Sequence, residues 1–168
     1  CVNTKFPPVI TEQALVLVGC GILRREVEYL IKKNAWNIET HYLVSALHNY
    51  FDKLYTQLNT ALEQEEQQGK QTLVFYGACH PRINTILEQH HTLRTEGQNC
   101  IVMLLGYEEF MEELSLGAYF LLEDWALNWE QTIGDVFGKN PDVVREIFHS
   151  SHQYLLALRT PCSTDFTE

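Results

Sequence analysis

Three of the five cysteines follow predicted strands, and thiols placed in this way could bind a metal centre. They are Cys20, Cys79 and Cys100, which come after the first, third and fourth predicted strands. In a parallel sheet the carboxyl ends of the strands meet at one edge, so we expect these thiols to lie close together. Cys20 and Cys100 would also begin helices, where backbone N–H groups favour the thiolate, the form that metals bind. Three thiolates with an open position suit an iron–sulfur cluster or a zinc-like metal ion.

Two histidines near the same edge could complete this metal site. His48 stands before the long second predicted helix, and His80 is adjacent to Cys79. Either imidazole could supply a fourth ligand or move protons. The competing interpretation is structural, because free cysteines are often buried, His48 could pack at its helix start and His80 could face solvent. The spacing contains no compact C-x-x-C pair, so the metal hypothesis depends on the predicted sheet.

The turn around the first of these cysteines also suggests a cofactor site. Gly19 and Gly21 follow a strand and precede a helix, as in dinucleotide-binding proteins. The dinucleotide pattern is incomplete, because Arg24 occupies the third glycine position and no acidic residue ends the second strand. A phosphate could still bind at the helix start beside Arg24. Trp125, after the fifth predicted strand, could wall a pocket or fill the core. The predicted cofactor-binding residues are Gly19, Gly21, Arg24 and Trp125.

The elements that must position these residues alternate between strands and helices. Apolar runs predict strands at 14–18, 36–44, 72–76, 92–95 and 118–122. Helical spacing predicts helices after Gly21 and at 49–67, 83–91, 107–114 and 125–158, the last interrupted at 138–141 and restarted with Asp142 as its cap. Residues 100–105 fit a short helix capped by Asn99, and a strand over 101–105 is the alternative. Polar positions predicted to face solvent are 63–68, His90, His91, His149 and His152.

This alternation predicts the α/β fold class, with a single three-layer domain, a mainly parallel, Rossmann-like sheet and helices on both faces. Residues 1–13 contain Pro7-Pro8 and no periodicity, so we expect an extended N-terminal arm before one domain over 14–168. A strand-like apolar run, 154–158, stands close to the end of the chain with no helical pattern after it. We therefore expect this domain to lack a final strand and helix unit.

Composition and charge exclude several classes of partner. The 168 residues are 45% hydrophobic, and 22 acidic against 12 basic side chains give a net charge of -10. A chain of this size can bury a core without disulfides, and its negative charge disfavours nucleic acid. No apolar run reaches the ~18 residues of a membrane span. Five cysteines without a visible secretion signal favour free thiols and a cytoplasmic location.

Several short motifs occur in an order that is typical of one protein family. They are GCGILRRE at 19–26, LHN at 47–49, YGAC at 76–79, and NCI with LLG within 99–106, followed by Tyr119 and Trp125. Together they resemble the bacterial and archaeal family called domain of unknown function 1638, over about residues 14 to 126. The resemblance implies that the three cysteines, His48 and Glu26 are family positions, but it assigns them no chemistry. The family's Pro-Arg-x-His-Asp segment is absent here, so His80 is a candidate substitute for the missing histidine.

Three functional hypotheses follow from these residues. The leading one is a metal- or iron–sulfur-binding protein that uses cysteines at the carboxyl edge of a parallel sheet, in an accessory or redox role. The alternative is a metal-free module for a small cofactor, a corrinoid or a nucleotide; the family resemblance associates archaeal members with corrinoid-dependent methyl transfer. The third is thiol redox chemistry, in which Cys20 attacks and a second cysteine resolves. The expected partner is a small molecule or metal centre, and the sequence specifies neither a reaction nor an oligomeric state.

Overall fold

The computed structural model describes residues 14–166, and the predicted arm at 1–13 lies outside the described residues. The strands are β1 (Leu15–Cys20), β2 (Ile38–Leu43), β3 (Gln71–Phe75), β4 (Leu93–Arg94), β5 (Ala118–Leu122) and β6 (Tyr154–Leu158). The helices are α1 (Arg24–Lys33), α2 (Phe51–Gln67), α3 (Ile83–Gln89), α4 (Cys100–Leu105), α5 (Tyr107–Ser115), α6 (Glu123–Leu127), α7 (Trp129–Phe137) and α8 (Pro141–Ser151). Turns of 3-10 helix follow β1 at Gly21–Leu23 and β2 at Ser45–Asn49.

The centre of the fold is a four-stranded parallel sheet in the order β2-β1-β3-β4. β1 pairs with β2 on one side and β3 on the other, and its residues 16–19 are buried. Parallel strands covered on both faces read as continuous apolar runs, which is why the segment 15–18 contains only Leu and Val. The predicted α/β class, with a Rossmann-like parallel sheet in a three-layer domain, is confirmed.

The main core lies between this sheet and the helices α2 and α3. Val16 and Val18 of β1 and Val74 of β3 are almost fully buried on one face of the sheet. The apolar stripe of α2 covers them with Leu54, Leu58, Ala61 and Leu62. Leu17, which points to the opposite face by strand alternation, is buried as well. The sheet is therefore held rigidly along the strand whose last residue is Cys20.

The last two strands form a separate parallel pair, in which β5 lies beside β6 in register from Ala118 opposite Tyr154 to Leu122 opposite Leu158. The prediction of a helix reaching residue 158 is therefore wrong. The helix α8 ends at Ser151, and the N–H of Gln153 then donates to the carbonyl oxygen of Gly117 at 2.8 Å, which starts the pairing. A five-residue apolar run fits a strand or a helix equally well, and here pairing with β5 makes it a strand.

Two helices, α4 and α8, are capped at their first turn by an asparagine. The predicted short helix at 100–105 is confirmed, and the Asn99 side chain accepts from the N–H of Val102 at 2.9 Å. The helix α8 is capped by Asn140, whose side chain accepts from the N–H of Asp142 at 3.0 Å, so the prediction of Asp142 as the cap is wrong. The free N–H groups of the first turn are capped by the residue just before the helix, which is Asn140. Asp142 lies inside that turn and cannot cap them in the same way.

Two polar residues predicted to face solvent are covered instead, Glu65 being buried and His90 half-buried. Glu65 is 8% exposed and accepts from Lys70 at 2.9 Å, with His41 on its other oxygen at 2.8 Å. His90 contacts Asn59 and Glu66 through its two ring nitrogens. Both are paired, as buried polar groups must be. Within residues 14–166, none of the helices combines the length and the apolar character needed to cross a membrane.

Candidate functional site

Three thiols converge at the carboxyl edge of the main sheet. Cys20 is the last residue of β1, Cys79 lies four residues after β3, and Cys100 is the first residue of α4. All three are free and half-buried. The charges of Cys100 and Cys79 each raise the pKa of Cys20, and that of Cys79 raises the pKa of Cys100, so the sulfur atoms lie within electrostatic reach of one another. The structure thus brings together the three cysteines that the sequence predicts.

Burial holds these thiols in the protonated form. It is the largest cause of the rise in the pKa of Cys20 to about 12 and of Cys100 to about 11, and it also raises the pKa of Cys79. The N–H of Ile22 acts in the opposite direction on Cys20, as do the N–H groups of Cys100 and Ile101 on Cys100. The predicted thiolate-favouring effect of the helix starts is therefore present, but desolvation outweighs it.

Two glycines allow the close backbone approaches that form this edge. Gly77 lies against the loop before α4, where an added Cβ would be 2.4 Å from the carbonyl oxygen of Gln98 and 2.7 Å from the Cα of Asn99. The N–H of Ala78 donates to that same Gln98 carbonyl at 2.7 Å. Gly77 thus fixes the distance between the loops that carry Cys79 and Cys100.

Gly19 has a similar packing role. It lies inside β1 rather than in the turn that the sequence suggests, and an added Cβ would meet the Cβ of Phe75 in β3 at 2.5 Å. The turn itself begins at Gly21, beside the carbonyl oxygen of Leu43. Gly19, which the sequence predicts to bind a cofactor, therefore allows β1 to pack closely against β3.

His48 and Ser45 lie in the 3-10 turn after β2, next to the thiols. The Nδ1 of His48 donates to the carbonyl oxygen of Ser45 at 2.7 Å, which leaves Nε2 as the acceptor nitrogen of the neutral ring. The same Ser45 carbonyl is 4.0 Å from the sulfur of Cys20. The Ser45 hydroxyl donates to Asp124 at 2.5 Å, which ties this turn to α6. Ser45 has no recognisable motif around it, and sequence reasoning missed it.

His80 occupies a different environment. Its side chain is buried, with the rings of Phe51 and Tyr55 at 5.7 Å each. Its Nδ1 accepts from the N–H of Arg82 at 3.0 Å, and burial lowers its pKa. With this lone pair occupied, His80 packs α2 against the loop after β3, and we leave it out of the ligand set proposed below.

Two buried polar atoms at the site have no hydrogen-bond partner within the described part of the chain, the hydroxyl of Tyr76 and the Nε1 of Trp125. Tyr76 is 2% exposed, and burial raises its pKa, followed by the charges of Cys20 and Cys79. Trp125 packs against the same cluster as Cys100, with its ring 6.3 Å from that of His48. An unpaired buried donor costs about 1–3 kcal/mol, and Tyr42 and Thr95 also bury a hydroxyl without a partner in the described part of the chain.

A cavity of about 220 Å³ lies between the Gly21–Glu26 segment and the ends of β5 and β6, and none of the three thiols lines it. Its lining includes three carboxylates, Glu26, Glu123 and Asp124, and two arginines, Arg24 and Arg25. Glu26 accepts from the hydroxyl of Thr160 at 2.6 Å. Arg24 pairs with Glu28 at 2.7 Å, and Arg25 pairs with Glu123 at 2.7 Å. The cavity therefore contains charges of both signs, and the phosphate expected beside Arg24 stays a prediction.

Among the side chains that the structure describes, no three of His, Cys, Asp or Glu form a group that could hold a metal ion. The effects of the thiols on one another's pKa place them at one edge of the sheet, but they do not form such a group.

The fold and this edge define a Rossmann-like α/β protein whose parallel sheet ends in a group of buried thiols. A family model described as "Protein of unknown function (DUF1638)" matches residues 42–168, and the chain belongs to this family. The match includes Cys79, Cys100 and Trp125, and it extends beyond the motifs recognised in the sequence; Cys20 lies before it. No curated protein and no solved structure matches the chain.

Proposed function

We propose that the protein binds an iron–sulfur cluster through Cys20, Cys79 and Cys100 and serves an accessory or redox role. The observation that carries this proposal is that three half-buried thiols from three separate segments lie within electrostatic reach of one another. As thiolates they would repel one another in a poorly solvated place, and only a bound cationic centre would compensate their charges. Three cysteines leave one position of a four-iron cluster open to a small molecule.

The unpaired donors support a sulfur-rich ligand. The Tyr76 hydroxyl lies near Cys20 and Cys79, and the Trp125 indole shares the cluster of Cys100. Sulfide and thiolate sulfurs accept hydrogen bonds, and such bonds tune the reduction potential of a cluster. His48 offers its Nε2 acceptor nitrogen near the same edge and is our candidate for the fourth ligand or for proton transfer. The four described cysteines are free, which suits a reducing compartment, and we propose a cytoplasmic location.

Protons compete with the metal for these thiols. Because the pKa of Cys20 is about 12 and that of Cys100 about 11, binding must displace protons from both. We expect cluster binding to strengthen as the pH rises. The same values disfavour thiol–disulfide exchange without a metal, since an attacking cysteine works best with a pKa near the ambient pH.

The test is metal content and the visible absorption spectrum of protein purified without oxygen and reconstituted with ferrous iron and sulfide. Cys20→Ser, Cys79→Ser and Cys100→Ser should each lose the broad visible absorption and most of the bound iron. Cys162→Ser is the matched control, because this free thiol lies after β6. Iron content that is equal in all four variants, or absent from the reconstituted wild type, would contradict the proposal. If the protein is colourless and contains zinc that the cysteine variants lose, the site binds a single zinc ion instead of a cluster.

A second candidate is a metal-free site for a small cofactor at the same edge, either a corrinoid or a nucleotide. The buried, unpaired Nε1 of Trp125 and hydroxyl of Tyr76 favour it, because both would suit a ligand rich in acceptors. Chelator-treated protein should then show a higher melting temperature with hydroxocobalamin or with ATP. Trp125→Phe should remove that shift while leaving the melting temperature of the free protein unchanged.

A further inference from the structure

A large cavity in the described part of the chain lies away from the thiols. It has a volume of about 1040 Å³ and lies between α7, α8 and the amino end of β6, and we call it the α7–α8 groove. None of the thiols, Tyr76, Trp125 or His48 lines it. Its size is at the upper end of the roughly 300–1,000 Å³ that small-molecule sites occupy.

The floor of the groove is aromatic. Phe148 of α8 is surrounded by other rings, with centroid distances of 4.7 Å to Tyr119, 5.6 Å to Trp129 and 5.8 Å to His152. Phe148 and Trp129 both line the groove and are only half-buried. Aromatic rings are usually covered when they pack in such clusters, and these offer their uncovered surface to a further planar ring.

The described side chains that line the groove carry an excess of positive charge, although the whole chain has a net charge of -10. Lys139 and Arg145 line the groove together with one carboxylate, Glu130, and His149 adds a cation when it is protonated. Arg145 contacts Asp142 at 3.3 Å in an exposed pair, which holds it only weakly. An aromatic floor beside one lysine and one arginine is complementary to an aromatic ring that carries a negatively charged group.

We propose that the α7–α8 groove binds a planar aromatic anion, a ring system that carries a phosphate or carboxylate group. The ring stacks on Trp129 and Phe148, and the anionic group lies toward Lys139 and Arg145. This site stands at the opposite edge of its strands from the thiols, so it requires no metal centre and does not depend on the function proposed above.

The test compares three aromatic anions with their uncharged partners: flavin mononucleotide with riboflavin, adenosine monophosphate with adenosine, and anthranilate with anthranilamide. We expect at least one anion to bind with a Kd below about 1 mM and its uncharged partner to bind about tenfold more weakly. Binding is measured by calorimetry, and for the flavin also by fluorescence quenching on Trp129. Added salt should weaken the binding of the anion but not the binding of its uncharged partner.

Variants locate the site and control for total charge. Lys139→Gln with Arg145→Gln should weaken binding of the anion about tenfold, roughly threefold for each exposed cation. Lys32→Gln with Lys33→Gln is the matched control, because it removes the same charge from the exposed end of α1. Trp129→Leu should weaken the binding of the anion and of its uncharged partner by the same factor.

Three results would overturn the inference. One is that none of the anions binds below about 1 mM. Another is equal affinity for the anion and its uncharged partner, which would make the groove merely apolar. The last is reversible dimerisation, seen by sedimentation and abolished by Phe148→Glu, because a second copy of the chain would then occupy the groove. Melting temperatures of all variants confirm that each is folded.

Discussion

Replacing Gly77 with alanine should disturb the fold and the thiol site together. The new methyl group would lie 2.4 Å from the carbonyl oxygen of Gln98 and 2.7 Å from the Cα of Asn99, well inside the ~3.5 Å of ordinary carbon contacts. Both obstacles are backbone atoms, so no side-chain rotation relieves the clash and the loop before α4 must move. Overpacking typically costs 1–3 kcal/mol, and we expect a loss of about 3 kcal/mol here. For a chain of this size that lowers the melting temperature by about 6–12 °C.

Urea denaturation followed by circular dichroism measures this loss, and iron content after reconstitution measures the displacement of Cys100 from Cys79. The control is Gly134→Ala in α7, where the nearest atom to a new Cβ is the Cγ of Lys139 at 3.8 Å. That substitution should stabilise the protein by about 0.5–1 kcal/mol, since alanine favours helices. If Gly77→Ala changes the free energy of unfolding by less than about 0.5 kcal/mol, the packing of β3 against this loop is not as described.

Two further predictions concern the same edge. The pKa of Cys20 rises from 9.0 to about 12 on folding, so the stability from its protonated thiol is complete below pH 9 and is lost as the pH rises toward 12. Metal-free Cys20→Ala should therefore lose less stability over this range than wild type in reducing urea titrations, and parallel pH curves would contradict the assignment. Asn99→Ala removes the bond to the N–H of Val102 at the start of α4 and should cost about 1 kcal/mol in the same assay. Asn99→Ser, which can still cap, should recover most of that loss.

The parallel sheet is predictable from sequence because its strands obey a local rule. A strand covered on both faces tends to be apolar throughout, so β1 is visible as a run of Leu and Val that ends at Gly19, and β3 as Leu73-Val74-Phe75 before Gly77. The amphipathic helices between them have the length of crossover connections, which makes parallel pairing the expected arrangement. From those two facts the clustering of Cys20, Cys79 and Cys100 at one edge follows without any knowledge of side-chain contacts.

Other features depend on partners that lie far away in the chain. The segment of β6 becomes a strand because β5 is there to pair with it, and the run itself fits a helix equally well. His80 is adjacent to Cys79 in sequence, yet rings from α2 surround it and a backbone N–H occupies its Nδ1. Ser45 joins the site only through its contacts with Cys20 and Asp124. Such contacts are decided by packing between elements, for which one sequence contains no local signal.

The parallel pairing of every described strand also sets an order of events during synthesis. Each pair, including β1 with β3 and β5 with β6, joins segments separated by at least one helix, so no hairpin can form early. Chains dominated by such distant contacts fold slowly. Cys20 and Cys100 are 80 residues apart in the chain, and they meet only after α4 has left the ribosome. A centre that all three thiols share can therefore be completed only once this part of the chain has been made and begins to fold.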